Sequence, residues 1–438
     1  MGLRRNWWGC LIGSLLCVYP CWAFAGEADD QRDEVLQELR VLRERVEVLE
    51  RGEKTVDVTG QDGHGHRLHP IHSLGEAKIS GNITLIAQGV SSDQLTDPST
   101  GSGDKGEGTL SLDLFLEHQV SEHGRMLIHL DVQQGAGLTN IPVFAAPNGN
   151  TTGPNNDVES FGNDQVHLDQ AFYEHTWFNE RLAITLGQYD PTAHFDTNAF
   201  ANNERVQFLA NLFGNNPALE FGGTGNFYGL GAVVMVKPVE WLDVLGGVME
   251  GDGDYVEAFS RSWMIGEADV HASLAGRQGT YRLYAWQNRS HHSNLLAGGQ
   301  DLKNSGVGLN IDQELTEDLG LWARYGTQDG QVASFDRSIT AGLQLSGGMM
   351  GRPHDALGVG YGLTMISSEY RDAQAASGAP QFDQDEGYLE VYYRFVASGD
   401  GETQGVALSP DVQYITNPGG DGSLDPITVY GARVQAFF

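Results

Sequence analysis

The sequence predicts an all-β chain: an antiparallel transmembrane β-barrel of about sixteen strands, preceded by a short N-terminal coiled-coil helix. Three observations carry that prediction. From residue 77 onward apolar residues recur with period two in segments of about ten, the links between segments alternate between short and long, and the chain opens on an export signal and closes on an aromatic, Phe438. Strands with lipid outside and water inside produce that alternation, and short periplasmic turns opposite long external loops produce that link pattern.

The first element expected is a signal peptide over residues 1–25. Arg4 and Arg5 supply a positive start, Leu11, Ile12, Leu15, Leu16 and Val18 an apolar core, and Ala23-Phe24-Ala25 a cleavage site. The apolar core is too short to cross a membrane as a helix. Cys10, Cys17 and Cys21 all fall inside this segment without a lipobox, so the mature chain is expected to lack thiols, disulfides and a lipid anchor. Without Arg4 and Arg5, 24 basic residues stand against 58 acidic ones, a balance of −34. That acidity excludes nucleic acid as a partner, because phosphate contacts need clustered Lys and Arg. The lysines are five: Lys54, Lys78, Lys105, Lys237 and Lys303.

Residues 29–52 follow a heptad. Val35, Leu39, Leu42, Val46 and Leu49 stand four and three apart with Glu and Arg on the flanks. About three heptads make a marginal coil. The segment reads as a solvated amphipathic helix or as a periplasmic oligomerisation seam joining a homotrimer, and the seam is preferred. Residues 53–76 read as a flexible His-rich linker. Gly60, Gly63 and Gly65 separate His64, His66, His69 and His72, which could ligate a metal as neutral imidazoles, but glycine spacing fixes no geometry and no metal or other cofactor is expected.

The barrel domain is expected over residues 77–438. In its first strand Ile79, Gly81, Ile83, Leu85 and Ala87 alternate with Ser80, Asn82, Thr84 and Gln88; in its second, Leu110, Leu112, Leu114 and Leu116 alternate with Ser111, Asp113, Phe115 and Glu117. Sixteen segments follow this rule, near 79–90, 107–120, 124–134, 165–178, 181–190, 225–237, 239–250, 259–273, 278–288, 304–315, 318–327, 337–346, 355–366, 385–397, 405–415 and 426–438. Short links fall near Ser121–Gly124, Asn179–Glu180, Lys237–Pro238 and Thr316–Glu317, and the run Arg289-Ser290-His291-His292 reads as loop.

The third long connection, 191–224, carries the run Phe195-Asp196-Thr197-Asn198-Ala199-Phe200-Ala201-Asn202, then Glu204, Arg205, Gln207-Phe208-Leu209 and Asn215-Asn216. With Leu408-Ser409-Pro410-Asp411-Val412-Gln413-Tyr414-Ile415-Thr416-Asn417-Pro418-Gly419-Gly420 and, near the end, Gly431 and Arg433, it resembles the carbohydrate-selective porin family, OprB. The resemblance implies a sixteen-stranded barrel whose third loop folds inward and narrows a water-filled channel for passive diffusion of small sugars and other small solutes. On that reading Asp196, Asn198, Asn202, Glu204, Arg205 and Gln207 line the constriction, and Phe195, Phe200 and Phe208 anchor the loop to the wall. Amides and carboxylates suit sugar hydroxyls, rings suit sugar C–H faces, and a transport site must also release its solute.

No G-x-S-x-G, H-E-x-x-H or P-loop run is present, and no enzyme is expected. An anion pore would need a Lys/Arg ladder, whereas Arg205 stands between Asp196 and Glu204. The acidity also admits a general cation-preferring pore, and the heptad an envelope tether working through the coil. The expected location is the outer membrane of a Gram-negative-type bacterium, with the N-terminal helix in the periplasm and outer-membrane lipid around the barrel.

Overall fold

In the computed structural model the described residues are 77–91, 106–135, 137–138, 141–149, 165–222, 228–251, 255, 259–299, 301–400 and 404–438. The signal peptide, the heptad seam from Val35 to Leu49 and the His-rich linker lie outside them. Sixteen antiparallel strands form one closed barrel in sequence order. They are β1 (Ala77–Val90), β2 (Gly106–Ser121), β3 (Gly124–Gln134), β4 (Gln165–Trp177), β5 (Leu182–Tyr189), β6 (Gly229–Val239), β7 (Leu242–Glu250) and β8 (Ser262–Leu274), then β9 (Arg277–His292), β10 (Leu302–Glu314), β11 (Leu319–Thr327), β12 (Phe335–Ser346), β13 (Ala356–Ile366), β14 (Glu386–Gly399), β15 (Gly405–Thr416) and β16 (Ile427–Phe437). β1 closes on β16, with Asn82 opposite Phe437 and Val90 opposite Val429. Closure leaves no edge, so every strand finds backbone partners on both sides, as a lipid environment requires.

The period-two pattern sets the two faces. Ile79, Ile83 and Leu85 are exposed on the outside of β1, while Asn82, Thr84 and Gln88 are buried on the inside. Exposed aromatics mark both rims of the apolar band. Trp177, Phe178, Trp241 and Phe395 ring the short-turn end, and Tyr325, Tyr414 and Tyr430 the long-loop end. Such girdles sit at membrane interfaces.

The largest departures from the sequence-based boundaries lie in β6 and β9. β6 starts four residues later, at Gly229, and runs past Lys237–Pro238, so its turn is Glu240–Trp241. The ladder is irregular between Val236 and Val239, and such an irregularity tolerates a proline that cannot donate. β9 runs on through Arg289–His292, which are strand and not loop: the irregularity between Leu302 and Asn304 of β10 lets pairing continue past Asn288.

The barrel is not empty. The connection between β5 and β6, described over residues 190–222 and including the short helix α1 (Asn211–Gly214), folds into it. Two apolar clusters hold this loop. At its root Phe195, Leu219 and Phe221 pack with Tyr189, Val233, Met249, Trp263 and Ile265 of the wall. At its tip Phe208, Leu212 and Phe213 pack with Trp322, Tyr388, Tyr392 and Ile415. A second inserted segment, 141–149 from the β3–β4 connection, was not anticipated. It contributes Ile141 and Ala145 to the tip cluster, and Gly149 N–H donates to the Leu209 carbonyl at 2.7 Å.

Candidate functional site

The inner wall grips the third loop through the loop's own backbone. Glu267 on β8 accepts the Asp196 N–H at 2.9 Å, and Glu390 on β14 accepts those of Leu209 and, at 3.0 Å, Ala210. Arg324 on β11 donates to the carbonyls of Phe213 at 2.8 Å and Ala201 at 2.6 Å. Arg433 on β16 donates to those of Glu204 and Gln207. Inward charges from four separate strands thus satisfy loop groups that a buried segment would otherwise leave unpaired.

These contacts set the place of each expected site residue. Asp196 is fully buried, has a left-handed backbone (φ 56°) and lies 3.1 Å from the Arg324 guanidinium. Its carboxylate also accepts the Asn216 N–H, twenty residues on, at 2.6 Å. Asn198 is buried too. It donates to Asn310 at 2.7 Å and accepts from the Phe200 and Ala201 N–H groups. Gln207 accepts from the Asn202 and Asn203 N–H groups and donates to the Ala199 carbonyl at 2.8 Å, stapling the loop tip onto itself. Asp196, Asn198 and Gln207, expected along the solute's path, thus have side chains that hold the loop, whereas Asn202 contributes its backbone N–H and its Oδ1 is buried without a hydrogen-bond partner.

Phe195 and Phe208 are buried in the root and tip clusters, and Phe200 is half-buried beside the tip cluster. Phe208 lies 5.1 Å from Phe213, 5.4 Å from Trp322 and 5.0 Å from Tyr392, between ring centroids. Several loop side chains press on wall glycines. A Cβ at Gly320 would come 2.1 Å from the Phe200 ring, and one at Gly362 would come 2.4 Å from Leu212. Only a residue without a side chain lets the loop come this close to the sheet.

Glu204 and Arg205 differ from the rest. Their side chains keep about a fifth of their surface exposed and pair at 2.9 Å. Arg205 also reaches across to Asp113 on β2 at 2.9 Å. The same Asp113 oxygen meets His129 of β3 at 2.8 Å, and His129 stacks on Phe115 with centroids 4.2 Å apart. Asp131 stands directly opposite Asp113 in the β2–β3 register, and Asp169 of β4 lies 3.8 Å from His129. Burial opposes the charge on Arg205, but Glu204 and Asp113 outweigh it and raise the guanidinium pKa. Burial, reinforced by Asp190 and Asp169, likewise raises the Tyr228 phenol and keeps it protonated.

A loop cation flanked by Glu204 thus meets a wall of carboxylates in direct contact. Asp113 Oδ2, Asp131 Oδ1, His129 Nδ1 and Arg205 Nε are buried there without a hydrogen-bond partner in the protein. Sequence reasoning missed Asp113, His129, Asp131 and Asp169 as site residues. Inward parity marked Asp113 as lumenal, but like charges directly opposite each other are visible only once register is known.

Residues 131–438 match the family described as carbohydrate-selective porin, OprB family. Among curated proteins, Porin AaxA of Chlamydia caviae is 22% identical over 299 residues, covering 66% of this chain and 60% of that protein. Porin AaxA of Chlamydia muridarum is 23% identical over 278 residues, covering 61% and 55%. The chain spans between 55% and 61% of the length of the curated relatives it matches. Among solved structures, the high-pH structure of Pseudomonas putida OprB aligns with a TM-score of 0.69 at 18% identity, covering 83% of this chain and 94% of that one. The low-pH structure of the same protein aligns with a TM-score of 0.51 at 14% identity, covering 83% and 93%. Those likenesses speak for the barrel, and the family match runs from β3 through the closing strand β16. The chain belongs to the carbohydrate-selective porin family, OprB.

Proposed function

We propose that the chain is a passive diffusion pore through which small sugars and other small solutes pass beside the inward-folded third loop, along the partly exposed Glu204–Arg205 pair that covers Asp113, His129 and Asp131. The observation that carries this reading is the Glu204–Arg205 pair on the inward-folded loop, whose side chains keep about a fifth of their surface exposed. The carboxylate accepts and the guanidinium donates. A hydroxyl does both, so a polyol can exchange partners along the pair, held weakly enough to leave. The loop aromatics support this arrangement as anchors, since Phe195 and Phe208 are spent on packing. The membrane is the outer one.

Bilayer conductance of the purified protein in graded glucose or maltodextrin tests the reading. Saturable block of the ion current is expected; an unblocked, strongly cation-selective current would sink the sugar reading and leave a pore. The wall carboxylates Asp113, Asp131 and Asp169 favour that second reading, a general cation-preferring channel.

The N-terminal segment is read as a periplasmic coil whose seam of Val35, Leu39, Leu42, Val46 and Leu49 joins three copies. Deleting residues 27–75 is expected to lower the sedimenting mass to that of a single barrel while conductance per pore stays unchanged. Loss of envelope anchoring with no change in mass would instead favour the tether.

A further inference from the structure

We propose that the outward face of β8–β10, at the long-loop end, binds the phosphorylated headgroup of an outer-leaflet lipid. Arg289 lies on β9 and Lys303 on β10, and both are exposed. Leu302 pairs with His292 and Asn304 with Asn288, so Lys303 lies opposite the irregular run Arg289–His291. Trp263 pairs with Asn288, which brings Arg261, just ahead of β8, beside the same run. Three basic side chains and an exposed imidazole thus share one patch, on a chain with 26 basic against 58 acidic residues.

Internal pairing does not use up the patch. Asp301 takes Arg261 at 3.2 Å and His291 at 2.7 Å. The side chains of Arg289 and Lys303 have no hydrogen bond or ion pair among the described residues, and two like charges side by side call for an anion.

Level and surroundings choose the anion. Arg289 falls on the same outward face as Leu283 and Ala285, and Lys303 on the same face as Val307 and Leu309, all exposed. Lys303 is four residues beyond Val307, about 13 Å along the strand. At the usual barrel tilt that is about 10 Å in height, enough to rise from the apolar band to the headgroups. Basic side chains with apolar stems suit that boundary. A ligand carrying phosphate above acyl chains matches both parts of the surface. A free anion or an acidic protein would leave the apolar part unused.

Lipid retention by the purified full-length protein in detergent, counted by native mass spectrometry, tests the site. The probes are bisphosphorylated lipid A and its dephosphorylated form. The wild type should retain the phosphorylated lipid preferentially, and the double variant Arg289→Gln/Lys303→Gln should lose retention by roughly tenfold. Arg181→Gln, an exposed arginine at the short-turn end, should behave as wild type. Heat-modifiable mobility and conductance should stay at wild-type values in the double variant, showing that the barrel is intact and the pore untouched. Equal retention by the double variant, no preference for phosphate, or no lipid on the wild type would overturn the proposal. Displacement of the lipid by inorganic phosphate would overturn it too, by reducing the patch to a free-anion site.

Discussion

Arg205 sits where one residue can decide what the channel prefers. It is paired with Glu204 and Asp113 at 2.9 Å each, and Asp131 and Asp169 stand close by. At about 4 Å in a surface-like dielectric a unit charge is worth roughly 4 kcal/mol to its neighbour, so removing this cation leaves the carboxylates unopposed. Arg205→Ala is therefore expected to raise the potassium-over-chloride permeability ratio, roughly threefold or more on the same electrostatic scale. It should also weaken sugar block, since the loop donor is lost. Reversal potentials across a potassium chloride gradient read the first effect and current noise in glucose the second; an unchanged ratio would place the solute path elsewhere. Arg324 is the opposite kind of arginine. Fully buried against Asp196, it bonds four loop carbonyls and meets no solute. Both arginines look alike in sequence. Neighbours more than a hundred residues away make one a clamp and leave the other partly exposed.

The third loop behaves as an element because its apolar anchors and its charged clamps act together. Phe200 shows how tight the fit is: a Cβ on Gly320 would stand 2.1 Å from its ring. Gly320→Val is expected to push Phe200 out of its seat, destabilising the protein by about 1–3 kcal/mol as overpacking does. The open-channel noise should rise as the loop loosens. Gly246→Val serves as control, because nothing lies within 4 Å of the Cβ it would add. If both variants give the same quiet current and the same urea midpoint, the aromatic seat does not hold the loop. The elements of the wall were readable from residue alternation, since a strand's two faces are a local property of period two. What fills the barrel was readable only in part. Phe195, Phe200 and Phe208 stood out as anchors, yet the segment 141–149 carried no comparable signal. Its contacts, such as Phe144 N–H with Glu386, span 242 residues.

At the scale of the whole molecule, the acidity and the local charges around Arg205 make separable contributions. The chain carries 58 acidic against 26 basic residues, and much of that charge lies away from Arg205. Charges in solvated loops act over the Debye length, about 10 Å at 0.1 M salt and about 3 Å at 1 M. Those around Arg205 sit within hydrogen-bonding distance of one another, inside either length. The cation preference of the wild type should thus shrink as potassium chloride rises from about 0.1 M to about 1 M, tracking that screening. The shift caused by Arg205→Ala should persist across the same range, because a permeating ion meets those carboxylates at contact. Reversal potentials of both proteins at three salt concentrations make the comparison. A wild-type preference that does not fall with salt would move the source of selectivity from the outer surface to Asp113, Asp131 and Asp169. If the Arg205→Ala shift instead vanished at high salt, the surroundings of Arg205 would have to be wider and wetter than its 2.9 Å contacts imply.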